Sequence, residues 1–275
     1  MTPRVVLTAA GGALFVLAPL LLLLTGHTEI VTSSDEGAGG RPLWTAVVPA
    51  LAGMALVRLL PPSRPSTVEA QPPDRAAIAR QVRWLVGIAV AFPALVAIAG
   101  AQSLAYPLIK VALFLGGALL VTRLIRAGLP PAVPVRWFWV LPAIVGWGVL
   151  AFRVPADLTP YEDLDRVYLA TAMTVTFLTA SVLEEFFYRV TLQTRIEALA
   201  GRWPAIVATS LLFAAMHLPS HLGGDHPWVA VAGIVAFQGF FGLFTGYLWS
   251  RYRRFWPLVA VHGAVNALPL LPLFT

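Results

Sequence analysis

Glu184 and Glu185 are adjacent carboxylates set in an apolar run, and Arg189 follows Glu185 by four residues. An ionised side chain at the centre of a membrane helix costs at least about 2.5 kcal/mol on insertion scales, so such residues are candidates for function by default. Two more polar pairs stand in apolar sequence downstream, Phe213 with His217 and His262 with Asn266. Residues four apart on a helix share a face. Glu185 therefore stacks on Arg189, whereas Glu184, turned by about 100°, shares its face with Tyr188. The arginine-paired Glu185 is expected to stay ionised and to orient the site, and Glu184 to handle a proton. His262 and Asn266 also point one way, as donors to a developing oxyanion would.

One carboxylate, two histidines and an amide serve two chemistries. Glu184 could act as general base on a water, with the histidines orienting water and oxyanion. Alternatively Glu184, His217 and His262 could hold a Zn²⁺. The H-E-x-x-H zinc signature is absent, and the residues leave both chemistries open. Each pair also has a plainer reading. Both acids could simply pair with Arg189 to hold the bundle together, and the histidines and asparagine could be hydrogen-bonding residues between helices.

The elements that must position these residues are membrane helices. Of 275 residues 58% are hydrophobic and 12% charged, about half the charge of a soluble domain. The expected class is an all-α polytopic transmembrane bundle of about eight or nine spans, with the lipid bilayer as its surroundings. The net charge of +6 is no nucleic-acid signal, because the arginines cluster in short connections between apolar runs. The absence of cysteine removes disulfides, thiolate nucleophiles and thiolate ligands.

Candidate spans run over residues 5–24, 43–60, 84–101, 104–121, 137–152, 167–200, 203–218, 228–249 and 255–274. The first is too long for a signal h-region and reads as a retained helix. Residues 61–83 form a basic, proline-rich linker ending in a short surface helix from Asp74. The chain thus divides into an N-terminal hairpin plus linker (1–83) and a helical core (84–275). Loops with Glu29, Asp35 and Glu36, and with Asp157, Glu162, Asp163 and Asp165, are acidic and alternate with basic ones. This places the N-terminus in the cytoplasm of a cell that carries the protein in its plasma membrane. Lys110, inside the fourth span, reads as a structural residue whose stem reaches a polar partner or the interface. His221, Asp225 and His226 read as loop polar residues, His27 as interfacial, and Gly242-x-x-x-Gly246 as a close-packing stripe. Helix-length counts from the cytoplasmic ends put Glu184 at a depth of about 24 Å, His217 about 21 Å and His262 about 10 Å. The last value disagrees with a single site.

The three motifs resemble the CAAX-protease and bacteriocin-processing (CPBP, or Abi) family of intramembrane proteases. Its E-E-x-x-x-R, F-x-x-x-H and H-x-x-x-N patterns occur at Glu184 to Arg189, Phe213 to His217 and His262 to Asn266. The glycine-rich stretch from Gly239 to Tyr247 adds to the likeness, which covers roughly residues 167–270. It implies a membrane endopeptidase in which Glu184 and His217 activate water while His262 and Asn266 stabilise the oxyanion. The substrate would be a peptide or protein in or at the membrane. Family members are often described as metalloproteases, but a glutamate base needs no metal, and a cofactor-free site gives every motif residue a role. Two other classes remain: a non-catalytic membrane scaffold or immunity protein that binds a partner, and a proton-coupled transporter.

Overall fold

A computed structural model of the protein describes residues 2–31, 39–61, 74–129, 135–222 and 226–275. The centre of the proline-rich linker, Asp35 and Glu36, Pro130, Pro131 and Pro134, and Asp225 lie outside the described residues.

Nine apolar helices make up the described chain, in the order expected. They are α1 (Pro3–Leu24), α2 (Trp44–Leu59), α3 (Arg75–Ala99), α4 (Ala105–Leu124), α5 (Trp137–Ala151), α6 (Arg166–Ala200), α7 (Arg202–Ala215), α8 (Pro227–Tyr252) and α9 (Trp256–Phe274). Six of them, α1, α3, α4, α6, α8 and α9, are long and apolar enough to cross a membrane; α2, α5 and α7 are shorter. The protein is an all-α polytopic membrane bundle. Much of α1 and α4 turns large side chains such as Val16, Leu17, Leu119 and Leu120 outward, as a lipid-facing helix does. By contrast, 72% of the most apolar window of α8 is buried, against 17–28% for the other five long helices. α8 is therefore the central post. It packs on α2 and α7, while α1 lies against α7 and α2 against α5.

Two local features differ from the sequence expectation. The surface helix and the third span are one helix, α3, because the Asp74 side chain accepts from the Ala77 N–H at 2.9 Å and caps it before the apolar run begins. The acidic loop after α1 contains a short antiparallel ribbon, β1 (Glu29–Val31) and β2 (Gly40–Pro42), in register Ile30 to Arg41. Ile30 is buried there with Leu22, Leu43 and Ala232. Arg41 ties the ribbon to the end of α5 through the carbonyls of Ala151 and Val154, at 3.1 and 2.8 Å.

The stripe Gly242–Gly246 is a close-packing surface. A Cβ on Gly242 would lie 3.0 Å from the Ser210 Cβ on α7, and one on Gly246 would lie 2.9 Å from Gln193 Oε1 on α6. Glycine is what lets α8 approach both helices.

Candidate active site

α6 carries the first motif across an irregular stretch. Its backbone is π-helical over Phe177–Val182 and Phe186–Gln193, with a three-residue α-helical segment, Leu183–Glu185, between them. Such wide turns within α-helices cluster at functional sites. Here they bracket the two acids.

The carboxylates face different partners, as the 100° offset implies. Glu185 is engaged at both oxygens: Arg189 Nε donates to Oε2 at 3.3 Å, and His262 Nδ1 lies 2.9 Å from Oε1. Arg189 is held further by Thr209 Oγ1 at 3.4 Å and by the face of Phe213, 5.1 Å from its guanidinium carbon. Glu184 is not free, contrary to the sequence reading. Lys110 on α4 reaches its Oε1 at 2.5 Å. The other oxygen, Oε2, is buried without a protein hydrogen-bond donor and lies 3.9 Å from His262 Nε2. Lys110, Glu184, Glu185 and Arg189 are each no more than 2% exposed. Two carboxylates and two cations thus balance in the interior, the condition under which buried charges are tolerated.

α9 brings in the last motif. Gly263 allows the approach: a Cβ there would meet Phe177 at 2.9 Å on α6. His262 then meets both acids, and Asn266 one turn on donates to Ser181 Oγ at 3.3 Å. His217, just past the end of α7, directs Nδ1 at the Phe213 carbonyl at 2.9 Å. That contact fixes the proton on Nδ1 and leaves Nε2 as an acceptor. Its ring and that of His262 both border Phe213, with centroids 5.2 and 5.9 Å away, and Phe241 covers His262 from α8 at 5.1 Å. Phe92, Phe114 and Phe187 continue this apolar wall towards Tyr188. It excludes water and strengthens every charge interaction inside.

The turn between α8 and α9 is tied to the last turns of α6: Arg253 pairs with Glu197 at 2.8 Å, and Trp249 donates to Thr194 at 3.0 Å. His262 nevertheless meets Glu185 Oε1 at 2.9 Å, so the shallow depth expected for it from helix counting does not hold.

The site thus unites Glu184, Glu185, Arg189, His262 and Asn266, with His217 at its edge beyond Phe213. Lys110 reaches a polar partner, as expected from its place in the fourth span, but that partner is Glu184. A signal was present: two acids with one arginine leave one negative charge over, and Lys110 is the basic residue inside a span that could answer it. His221 is used locally, with Nδ1 donating to the His217 carbonyl at 3.0 Å, and His27 packs edge-on against Trp228 at 5.1 Å. The zinc alternative fits poorly. Among the described residues no three His, Asp or Glu side chains are grouped to share an ion. An ammonium also occupies one oxygen of Glu184, and the His262 Nδ1 is turned to Glu185.

Residues 166–268 match the family model described as type II CAAX prenyl endopeptidase Rce1-like. The match covers the stretch that carries the three motifs, and its description agrees with the family they resemble. No curated protein and no solved structure matches the chain.

Proposed function

We propose that this membrane protein hydrolyses a peptide bond of a membrane-associated protein or peptide, with Glu184 as the general base and without a metal. The observation that carries the reading is the asymmetry of Glu184. One oxygen is ion-paired, and the other is buried, unpartnered and 3.9 Å from a histidine nitrogen. A gap of that length between polar atoms suits a bridging water.

The steps follow from the geometry. A water held between Glu184 Oε2 and His262 Nε2 gives its proton to Glu184 as its oxygen attacks the carbonyl carbon. The new C–O bond places negative charge on the carbonyl oxygen. Asn266 uses one amide N–H on Ser181 and has a second to offer that oxyanion. The proton then passes to His262 Nε2. Glu185, bonded to Nδ1 and anchored by Arg189, stabilises the imidazolium and fixes its orientation, as the aspartate of a Ser-His-Asp triad does. His262 delivers the proton to the leaving nitrogen as the C–N bond breaks, and one water has been added across the bond. This gives His262 the nearer place to the base and leaves His217, with its Nε2 acceptor, to orient the water or substrate from the far side of Phe213.

The cytoplasmic placement of the N-terminus belongs to the same proposal and is supported by the alternation of basic and acidic connections. The test compares new peptide termini in membranes from cells expressing wild type or Glu184→Gln at equal levels. Termini produced only by wild type are expected. Identical profiles in cells whose phenotype depends on the protein would sink the enzyme reading in favour of a partner-binding scaffold.

A further inference from the structure

We infer that Lys110, which lies outside the family-matched segment, is the positioning residue of the general base. It holds Glu184 ionised and turned so that Oε2 rather than Oε1 meets the water. The inference rests on Glu184 being that base.

Four observations carry it. Lys110 is the only lysine among the chain's 19 basic residues, so its type is not explained by a general preference. It stands on the turn where α4 passes from α-helical to π-helical backbone. Its ammonium is buried and meets Glu184 Oε1 at 2.5 Å. Its approach is fixed by aromatic faces: Nζ lies 4.5 Å from the Tyr106 centroid and 5.9 Å from that of Phe92. A buried pair serving stability alone would be expected to saturate the carboxylate, as Arg189 and His262 do for Glu185. Lys110 takes one oxygen and leaves the other.

The choice of lysine is physical. A guanidinium fork tends to claim both oxygens of a carboxylate, whereas an ammonium is a compact point charge that occupies one. The groups facing the Lys110–Glu184 pair are Tyr106 from α4, Tyr188, Glu185 and Arg189 from α6, His262 from α9 and His217 beyond α7. Arg189 is committed to Glu185, and the tyrosines carry no charge. Lys110 is therefore the cation that sustains a second carboxylate beside the first.

The experiment follows the wild-type-specific cleavage in membranes carrying the full chain, across pH 5–9, for wild type, Lys110→Met and Lys110→Arg. Lys110→Met should cleave about 100-fold more slowly at neutral pH, as misplacement of a catalytic group does. Its acidic limb should move up by about 1–3 pH units, because a carboxylate that loses a cation at contact distance protonates more readily. Lys110→Arg should restore the limb but not the rate, because its fork claims the oxygen that meets the water. Wild-type cleavage and an unmoved limb in Lys110→Met would overturn the inference, as would a slower rate with the limb unmoved. Cleavage by Glu184→Gln would instead overturn the assignment of the base. If Lys110→Met does not fold, the double variant Lys110→Met/Glu184→Gln decides the matter. It should unfold at a higher temperature than Lys110→Met alone, because the unpaired charge is gone. Additive losses would overturn the pairing on which the inference stands.

Discussion

Glu185→Gln tests the buried trio of Glu185, Arg189 and His262 most directly. The side chains are nearly isosteric, so only the charge and one acceptor are lost. Glu185 receives Arg189 at one oxygen and His262 at the other, and neither it nor Arg189 is exposed. A glutamine has one acceptor, so its NH₂ must face a donor on one side. Removing one member of a buried ion pair costs about 3–5 kcal/mol. Arg189 cannot relieve this by deprotonating, since a guanidinium keeps its proton in proteins. For a chain of roughly this size each kcal/mol is worth about 2–4 °C, so the midpoint should fall on the order of 6–20 °C. Glu184→Gln should fall less, because the ammonium it strands can shed a proton. Catalysis should suffer as well. The amide can donate to His262 Nδ1, which moves the ring proton to Nε2, where the mechanism needs an acceptor. A tautomer error of this kind reduces turnover by as much as about 10⁴-fold in a serine protease.

The assays are thermal unfolding of purified protein in one detergent at one scan rate, and cleavage in membranes at equal expression. A midpoint within about 2 °C of wild type would refute the claim that Arg189 depends on Glu185. A depressed midpoint with normal turnover would make Glu185 a strut and remove His262 from the proton path.

Three further outcomes follow from single contacts. Asn266→Ala should lower turnover about 10²–10³-fold with little change in the unfolding midpoint if its free N–H meets the oxyanion, whereas Ser181→Ala, which removes only its partner, should cost far less; equal losses would argue against the oxyanion role. Gly242→Val should destabilise by about 1–3 kcal/mol through overpacking against Ser210, measured as a lower midpoint, while valine at the unconfined Gly116 should not. Prolonged chelator treatment should leave cleavage intact; loss restored by Zn²⁺ alone would overturn the metal-free mechanism.

The helical scaffold was legible because hydrophobic length is a local property. Eight of the nine apolar segments recur within about three residues of where hydropathy and charged boundaries put them, and α3 begins nine residues earlier, at Arg75. The π-helical turns around Leu183–Glu185 were not legible, because the shift from one hydrogen-bond ladder to the next depends on what α4, α7 and α9 press against α6. The ribbon at Glu29–Val31 was missed since three-residue strands carry almost no periodic signal; Ile30 is fixed by burial against α8 rather than by its own segment. The depth of His262 was not legible, because residue counts along one helix do not say how it is placed against another; the contact with Glu185 fixes it. Glu184 stands on the face that its 100° offset gives, and its pairing was not legible because the balancing cation comes from α4 rather than from its own helix.

That cation changes what separates the two glutamates. Helix geometry alone gives them different faces, which would suffice to distinguish them only if one face were polar and the other empty. In the folded protein both faces hold a cation, and both acids are buried to the same degree. What differs is what meets the oxygen that each cation leaves. Arg189 and His262 each meet one oxygen of Glu185, so neither oxygen of that carboxylate stands without a partner and its role is to hold and polarise His262. Lys110 uses one oxygen of Glu184, and the remaining oxygen faces the histidine that Glu185 orients. Exchanging the two cations, with Lys110→Arg and Arg189→Lys in one protein, should therefore do more harm than either change alone. The fork would close Glu184, and the ammonium would give up the Arg189 contact with Thr209 that helps to hold Glu185. If the double exchange is instead no slower than the worse single variant, oxygen occupancy does not set the roles, and the identity of the base must come from its distance to the substrate.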